Sequence, residues 1–329
     1  MINAAMAGLG WWGRTIIDSV QGKTGRVRFT RAVTKEPDEA RDFAAAHGLA
    51  LSTDLAEVLA DESIGAVHLA TPHSLHAEHI AAVAAAGKHV LCEKPLCLAR
   101  ADAQAAVAAC AKAGVVLGVG QNRRFWQPVA EIKRLVNTGA LGTIMMVEGN
   151  YSHDVLAELA PGNWRLDPNE APAAGMTGMG IHLVDAYVHL LGPVAKVTVD
   201  CADRLLGRTV GDTVLILFEF ENGARAYLGS TVATAHLWRL HVLGSKGWAE
   251  TRGEHDLTVS MRGAEPQSTV FGERDSVLAQ WLAFIDAIDG VAPYPIGPGQ
   301  MVATVAAMEA IFQSAKTGKP VTLKPAYSV

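Results

Sequence analysis

The stretch INAAMAGLGWWG at residues 2–13 places a Gly-x-Gly-x-x-Gly motif directly after a strand-like apolar run. The first glycine of such a motif permits a tight turn, the second lets the backbone approach a pyrophosphate, and the third allows a helix to pack closely on the strand. The N-terminus of the following helix offers N–H groups and a positive dipole to phosphate oxygens. We therefore expect a strand, a turn and a helix that bind a dinucleotide. The residues expected to contact it are Gly8, Gly10, Trp11, Trp12 and Gly13.

Short apolar runs and amphipathic helical stretches alternate over the first third of the chain. Strands are expected at residues 2–7, 27–33, 66–70, 89–92 and 115–119. Helices are expected between them, for example at residues 37–47, where Pro37 stands at the start and Gly48 follows the end. Strand–helix alternation with short connections predicts an α/β fold with a parallel sheet covered on both faces.

The pattern changes after about residue 120, where strands follow one another without helices between them. Helices are expected at residues 127–137, 179–191, 276–289 and 300–316, and a loop at residues 156–172. Asn222-Gly223 between two alternating runs is a hairpin signal. We expect a dinucleotide-binding domain at residues 1–120 and a second domain at residues 121–329 with an open, mainly antiparallel sheet. Its strands are expected at residues 144–152, 196–201, 213–221, 224–230, 237–243 and 248–250.

Charge and composition exclude several classes of function. The 329 residues carry 28 Lys and Arg against 33 Asp and Glu, which gives a net charge of −5 and no basis for general binding to nucleic acid or anionic membrane. No run of about 18 apolar residues suggests a membrane span. The four cysteines show no CxxC pairing, and the N-terminal residues show no basic and apolar leader. We expect a cytoplasmic protein that acts on a small-molecule substrate.

The end of the second strand selects the cofactor. An acidic side chain there binds the adenosine ribose hydroxyls of NAD(H), whereas a cation suits the 2′-phosphate of NADP(H). In this chain Thr34 and Lys35 stand at the usual acidic position. A hydroxyl and a cation favour NADP(H) over NAD(H). Glu36, one residue later, leaves NAD(H) open, and Lys35 as a solvated loop charge is the alternative to a phosphate ligand.

Two further segments follow strands and therefore belong at the edge where open parallel sheets bind ligands. Glu93-Lys94-Pro95 ends one strand, and an ammonium such as that of Lys94 can hydrogen-bond a substrate hydroxyl and exchange protons. TPHSLH at residues 71–76 ends another. The histidines near it lack the partners of a zinc site, so no metal is expected. The cofactor contacts expected from these segments are Thr71, Pro72, His76, Glu93 and Lys94.

A third segment, GMTGMGIHLVD at residues 175–185, joins a glycine-rich turn to a helix that carries His182 and Asp185. Because these residues are three apart, they share one helix face. A histidine at a helix start beside glycines can approach a ligand closely, and histidine suits proton exchange near neutral pH. Taken alone, His182 is better explained as a capped core histidine.

Five motifs in this order resemble those of one enzyme family. They are Gly8-x-Gly10-x-x-Gly13, Thr71-Pro72-x-x-x-His76, AGKHVLCEKP at residues 86–95, Trp164-Arg165 and Gly180-x-His182-x-x-Asp185. Over essentially the whole chain they resemble the Gfo/Idh/MocA (glucose–fructose oxidoreductase, inositol dehydrogenase, rhizopine catabolism) oxidoreductase family. The resemblance implies an N-terminal Rossmann domain with a doubly wound parallel sheet, and a C-terminal α+β domain with an open sheet. That sheet often mediates oligomerisation in the family, so a homodimer or homotetramer is expected.

The resemblance also implies a reaction, namely NAD(P)-dependent hydride transfer at a secondary alcohol or ketone of a sugar, cyclitol or related cyclic compound. It makes Lys94 and His182 the catalytic residues, and it makes Trp164, Arg165 and Asp185 substrate-binding residues. The chain departs from the family at Gly178, where the family often places an aspartate. This departure leaves three alternatives open: a dehydrogenase of a non-sugar substrate, a catalytically impaired nucleotide-bound sensor or binding protein, and an oxidoreductase that holds its nucleotide permanently.

Overall fold

The computed structural model describes residues 1–160, 162–207 and 211–324. By contact the chain forms two compact units, one of Met1–Asn122 with Asp275–Met301 and one of Arg123–Arg274 with Val302–Val329. The sequence-based division placed everything after residue 120 in the second domain, but residues 275–301 group with the first unit. Pro161, in the expected loop, and residues 325–329 of the expected second domain lie outside the described residues.

Alternating strands and helices build most of the first unit. In chain order they are β1 (Ile2–Ala7), α1 (Trp11–Val20), β2 (Val27–Val33), α2 (Pro37–His47), β3 (Ala50–Ser52), α3 (Leu55–Ala60), β4 (Ala66–Leu69), α4 (His76–Ala85), β5 (His89–Cys92), α5 (Arg100–Ala113) and β6 (Leu117–Val119). The strands pair in parallel in the order β3-β2-β1-β4-β5-β6. This confirms the predicted parallel sheet. All four residues of β4 are buried, as expected for a strand covered on both faces.

The strand order reverses next to β1. Strand β1 pairs with β4 on one side and with β2 on the other, although β2 and β3 both precede β4 in the chain. In open parallel sheets, ligands bind beyond the carboxyl ends of the strands at such a reversal. Gly8 follows β1 there and Thr71 follows β4 there. The topology therefore brings two of the motifs found in the sequence to one edge of the sheet.

The second unit is built on a nine-stranded sheet. The remaining elements are α6 (Gln127–Asn137), β7 (Ile144–Ser152), α7 (Ile181–Leu191), β8 (Val194–Ala202), β9 (Thr213–Phe220), β10 (Arg225–Thr231), β11 (Leu237–Gly244), β12 (Gly247–Arg252), β13 (Asp256–Met261), β14 (Gln267–Val270), α8 (Ser276–Ile288), α9 (Pro298–Thr317) and β15 (Val321–Thr322). The sheet order is β14-β13-β12-β11-β7-β10-β9-β8-β15, and β7 pairs with β10 in parallel while the other pairs are antiparallel. This confirms the predicted, mainly antiparallel second sheet.

Helix α7 packs on the inner face of this sheet through a glycine. A Cβ on Gly149 in β7 would lie 2.3 Å from the Tyr187 hydroxyl oxygen and 3.0 Å from a methyl group of Leu183. The Tyr187 hydroxyl donates to the carbonyl of Tyr227 in β10 at 2.8 Å. The missing side chain thus lets the helix lie close to the strands, which fixes where α7 carries His182.

The opposite face of the sheet is partly apolar. Leu215 and Leu217 of β9 are 57% and 63% exposed, and Tyr227, which pairs with Leu217, is 36% exposed. Such a patch suits contact with another molecule. Oligomerisation through this sheet stays a prediction. Among the described residues, no helix combines the length and apolarity needed to cross a membrane.

Helix α8 returns to the first unit through buried aromatic side chains. Trp281 has no exposed surface, and its ring meets Phe29 of β2 edge-on at 5.2 Å and lies 5.6 Å from His68 of β4. Arg26 also bonds Asp286 at 2.7 Å and Asp289 at 2.8 Å. A segment far along the chain therefore completes the core around the parallel sheet.

Replacing Trp281 with alanine tests that role. We expect Trp281→Ala to lower the free energy of unfolding by about 3–5 kcal/mol, because it empties a fully buried aromatic site. Urea unfolding measures the change. Trp11→Ala is the control, since Trp11 is 74% exposed and its loss should cost less than about 0.5 kcal/mol. A loss below about 1 kcal/mol for Trp281→Ala would contradict the assignment of α8 to this core.

Candidate active site

The three glycines after β1 have different reasons to be glycine. Gly8 has a φ of +99°, and a Cβ there would lie 2.3 Å from the carbonyl oxygen of Ala70. A Cβ on Gly13 would lie 2.0 Å from the carbonyl oxygen of Gly8. Around Gly10, by contrast, a Cβ would meet no described atom within 4 Å. Gly8 and Gly13 are therefore required by the fold, while Gly10 keeps a space open.

That space lies at the N-terminus of α1, where Gly10 is the N-cap residue without a side chain to cap the helix. The first N–H groups of a helix have no carbonyl partner within the helix, and the helix dipole makes them a site for anions. Trp11 beside it is exposed and its ring lies 5.4 Å from that of Trp12. The residues present thus fit the pyrophosphate of a dinucleotide.

The end of β2 carries a hydroxyl, a cation and a carboxylate together. Thr34 is 8% exposed, and its hydroxyl donates to Glu36 Oε2 at 3.2 Å. Lys35 is exposed. Burial is the main cause that lowers the pKa of His79, and the charge of Lys35 lowers it further against the opposing effect of Glu78. The charge of Lys35 therefore affects the pKa of His79, whose Nδ1 lies 3.2 Å from Thr71 Oγ1 at the carboxyl edge of the sheet.

His76 ties two of the motifs together. Its Nδ1 lies 2.8 Å from the carbonyl oxygen of Pro95 and its Nε2 lies 3.0 Å from that of Thr71. The ring has no exposed surface, and burial lowers its pKa despite these two acceptors. The Lys94–Pro95 peptide bond is cis. His76 thus fixes the turn after β4 to the turn after β5, which favours a structural role for it over cofactor contact.

Glu93 is buried rather than open to solvent. It is 6% exposed, its Oε1 lies 3.5 Å from His68 Nε2, and a Cβ on Gly120 would come within 2.5 Å of it. Burial would raise the pKa of this carboxyl, but His68, the charge of Lys94 and the indole of Trp12 outweigh it and lower the pKa. The backbone N–H of Lys94 donates to Glu93 Oε2 at 3.3 Å. Glu93 is placed to position Lys94, and its predicted cofactor contact stays a prediction.

In the second unit a left-handed turn leads into α7. Ala173, Ala174 and Gly175 have φ values of 58°, 47° and 76° in succession. His182, near the start of α7, is 7% exposed. A Cβ on Gly178 would meet the Gly175 carbonyl oxygen at 3.5 Å, an ordinary contact. The surroundings thus leave room for a Cβ at Gly178.

Asp185 is committed to an ion pair. Its Oδ2 accepts from Arg124 Nε at 2.6 Å and its Oδ1 accepts from Arg124 Nη2 at 2.7 Å, with both side chains buried. Arg124 Nη1 lies 3.1 Å from His189 Nδ1. Burial and the charges of Arg124 and Lys133 lower the pKa of His189 to about 3, so this imidazole is neutral near pH 7. The arrangement favours a structural role for Asp185 over the predicted contact with substrate.

No sequence motif marks the aromatic and basic side chains around His182. The ring of Tyr151, at the end of β7, lies 6.2 Å from that of His182, 5.2 Å from that of His153 and 6.0 Å from that of His236. Arg123 Nη2 donates to the Tyr151 hydroxyl at 2.5 Å. Only their positions in the sequence could have indicated them, because Arg123 comes shortly after β6 and Tyr151 lies at the end of β7.

The predicted substrate residues Trp164 and Arg165 lie in a short 3₁₀ turn at Trp164–Leu166. The Arg165 guanidinium carbon stands 4.2 Å from the centre of the Trp164 ring. The Asn163 side chain accepts from the Arg165 backbone N–H at 3.0 Å and caps the turn.

Among the described residues, no three His, Cys, Asp or Glu side chains group so that they could hold a metal ion.

Comparison with protein families gives the class of this protein. The profile described as "Oxidoreductase family, NAD-binding Rossmann fold" matches residues 2–121, and that described as "GFO/IDH/MocA C-terminal domain" matches residues 129–250. The chain therefore belongs to the GFO/IDH/MocA oxidoreductase family, as its motifs predicted. It is an NAD(P)-dependent oxidoreductase.

Similar proteins extend over nearly the whole chain. D-xylose 1-dehydrogenase (NADP(+)) 2 of Haloferax volcanii is 29% identical over 94% of this chain and 96% of that protein. The crystal structure of aldose-aldose oxidoreductase from Caulobacter crescentus, complexed with glycerol, has a TM-score of 0.87 at 25% identity and covers 98% of this chain and 99% of that one. Levoglucosan dehydrogenase in complex with NADH and L-sorbose has a TM-score of 0.89, covers 98% and 99%, and at 22% identity shows the fold alone.

The two kinds of glycine make a matched pair of tests. We expect Gly10→Ala to fold with nearly unchanged stability but to weaken nucleotide binding at least ten-fold, because its methyl group enters the open space where backbone would approach the pyrophosphate. Gly13→Ala should instead lower the free energy of unfolding by more than 2 kcal/mol (about the cost of overpacking), since its Cβ overlaps a carbonyl. Thermal unfolding and nucleotide titration separate the two. Normal stability of Gly13→Ala would contradict the packing argument.

Proposed function

We propose that the protein transfers hydride between NADP(H) and a secondary alcohol or ketone of a sugar, cyclitol or related cyclic substrate, with Lys94 and His182 exchanging the proton. The observation that carries this is the placement of Lys94, which follows β5 at the ligand edge of the parallel sheet. Its backbone is fixed between buried Glu93 and a proline whose carbonyl is bound by His76. Belonging to a family of oxidoreductases supports the reaction class.

A bound nicotinamide supplies the hydride acceptor or donor. In the oxidation direction, His182 or Lys94 accepts the proton of the substrate hydroxyl. In the reduction direction, either group donates that proton to the forming hydroxyl. The protein contributes orientation and charge around the reacting carbon. Buried surroundings strengthen such charge effects, and both Glu93 and His182 are less than 10% exposed.

NADP(H) is proposed over NAD(H) because of the groups at the end of β2. Lys35 is exposed and acts electrostatically on His79 at the ligand edge. Glu36, one residue after Lys35, accepts from the Thr34 hydroxyl. A cation is therefore available for a 2′-phosphate at the position where an acidic residue would bind ribose hydroxyls. A similar sequence, the xylose dehydrogenase of Haloferax volcanii, is named for NADP(+).

Lys35→Ala tests this preference. We expect it to weaken NADPH binding about ten-fold, the value of one charge-assisted hydrogen bond, and to leave NADH binding within about two-fold. Quenching of tryptophan fluorescence reports both titrations, because Trp11 and Trp12 lie in the glycine-rich turn. Lys23→Ala, another exposed lysine of the same unit, should change neither. Equal losses for both nucleotides, or none, would remove Lys35 from phosphate recognition.

Lys94→Met and His182→Ala test the proton transfer. Each should lower kcat by about 10²–10⁴-fold, the usual contribution of a general acid or base, while nucleotide affinity stays within about three-fold. The readout is absorbance of the reduced nicotinamide with the best substrate of a sugar and cyclitol panel. Lys112→Met, an exposed lysine of α5, is the control. Full turnover by either active-site variant would exclude that residue from the reaction.

Gly178 favours a second candidate, a nucleotide-bound binding protein with impaired catalysis. The position lacks the acid that the family often carries, although its surroundings have room for a Cβ. A binding protein has no need of a proton-exchanging pair, so the presence of Lys94 and His182 favours the enzyme. The same assay decides, because a binding protein would bind nucleotide and ligand without any change in nicotinamide absorbance.

A further inference from the structure

Two consecutive arginines of the second unit differ in their electrostatic surroundings. Arg124 is paired through two oxygens with Asp185. Arg123 forms no ion pair with any carboxylate of the described ranges. Its guanidinium instead stands 4.1 Å from the centre of the Tyr151 ring and 4.6 Å from that of Trp126. Burial lowers the pKa of Arg123 against the opposing effects of Tyr151 and Glu254. Arg123 is thus a partly buried cation held by aromatic faces.

The same cluster has more hydrogen-bond donors than acceptors. Arg123 Nη1 is buried and has no acceptor among the residues that the structure describes. The Tyr151 oxygen accepts from Arg123 Nη2, so its own O–H remains as a donor, and no described residue accepts it. The indole N–H groups of Trp126 and Trp238, beside the same guanidinium, also have no acceptor in these ranges. Buried donors of this kind are normally satisfied.

The group that would complete this cluster must accept hydrogen bonds and carry negative charge. A carboxylate does both, because it has two acceptor oxygens and no donor. Its planar shape matches a guanidinium, and charged pairs of this type are among the strongest hydrogen bonds in proteins. A water molecule or a substrate hydroxyl would satisfy a donor but would add no negative charge beside this partly buried cation.

The cluster adjoins the residue assigned to proton exchange. The Tyr151 ring lies 6.2 Å from that of His182, and it also neighbours His153 and His236, whose rings stack at 6.3 Å. Four residues before His182 stands Gly178, which supplies no acid. The surroundings of His182 thus contain a cation, Arg123, which favours an anionic ligand.

We propose that Arg123 and Tyr151 form a subsite for a carboxylate of the substrate, so that the protein acts on a sugar acid or a related cyclic hydroxy acid in preference to a neutral sugar. This rests on the proposed function, because it names the substrate class of the site that contains His182. The hydroxyl of Tyr151 and the Nη1 group of Arg123 donate to the carboxylate oxygens, and the guanidinium supplies the opposite charge.

Matched substrates test the proposal with the full-length protein. D-glucuronate is compared with D-glucose, and D-galacturonate with D-galactose. Each neutral sugar differs from its acid only in bearing CH₂OH in place of the carboxylate. We expect kcat/KM to be at least ten-fold higher for the acids. Tyr151→Phe, which removes only the hydroxyl, should lower kcat/KM for the acids about ten-fold or more and change that for the neutral sugars less than three-fold. Arg123→Gln should abolish the preference.

Control variants separate recognition from folding. Tyr227→Phe and Arg225→Gln change the same residue types on the exposed face of the sheet and should leave the preference intact. If Arg123→Gln fails to fold, Tyr151→Phe alone decides. Equal turnover of acids and neutral sugars, or equal losses for both in Tyr151→Phe, overturns the subsite and leaves the proposed function standing.

A binding measurement distinguishes the failure of the two proposals. Thermal unfolding with saturating nucleotide is followed as D-glucuronate or D-glucose is added. A rise in Tm with D-glucuronate alone, absent in Tyr151→Phe, supports the subsite even when no substrate is turned over, and the lack of turnover then counts against the proposed function. If neither acid raises Tm and neither is turned over, the subsite is overturned.

Discussion

The close approach of the turn after β1 to the end of β4 is the contact on which the rest of the first unit depends. Gly8 leaves no room for a Cβ against Ala70, and Gly13 leaves none against Gly8. These contacts bring α1 close to the sheet where the strand order reverses. Because of that, the N-terminus of α1, the Thr71 turn and the Lys94 turn all lie at the carboxyl edge of one parallel sheet.

Buried polar side chains then fix the turns at this edge. The two ring nitrogens of His76 lie within hydrogen-bond distance of the carbonyls of Thr71 and Pro95, and Glu93, beside His68, accepts from the backbone N–H of Lys94. In the second unit the Arg124–Asp185 pair does the same for α7. Removing one partner of such a pair leaves a buried polar group or charge uncompensated, so each pair specifies a single arrangement of its segments. Several residues that looked like ligand contacts in the sequence are therefore better explained as supports for those that remain.

The charges near His182 bear on the ligand that this unit can hold. Gly178 supplies no acid, although its surroundings leave space for a Cβ. Arg123, one residue before an arginine paired with Asp185, has aromatic rings for neighbours, and its Nη1 has no acceptor in the part of the chain that the structure describes. Both features shift the balance of charge towards a negatively charged ligand, and both lie within one unit of the fold.

The sequence by itself determined the local elements and the family. Strands at residues 2–7, 27–33, 89–92 and 144–152 have the predicted bounds, because hydrophobic period and glycine or proline breaks are encoded within a few residues. The glycine-rich turn and the AGKHVLCEKP string identified the family for the same reason. Strand β14 was missed because its residues are all exposed, so its pattern carries no buried face. Strand β13 was missed as well.

Tertiary structure alone decided which side chains meet. The return of α8 to the first unit, the pairing of Asp185 with Arg124 across 61 positions and the clamp of Arg123 on Tyr151 depend on contacts between distant segments. No local pattern encodes such a contact, because partner and burial are set by how the sheets and helices pack. The sequence thus named Lys94 and His182 as reactive groups, whereas only the packed structure showed which buried charges have partners among the described residues and which do not.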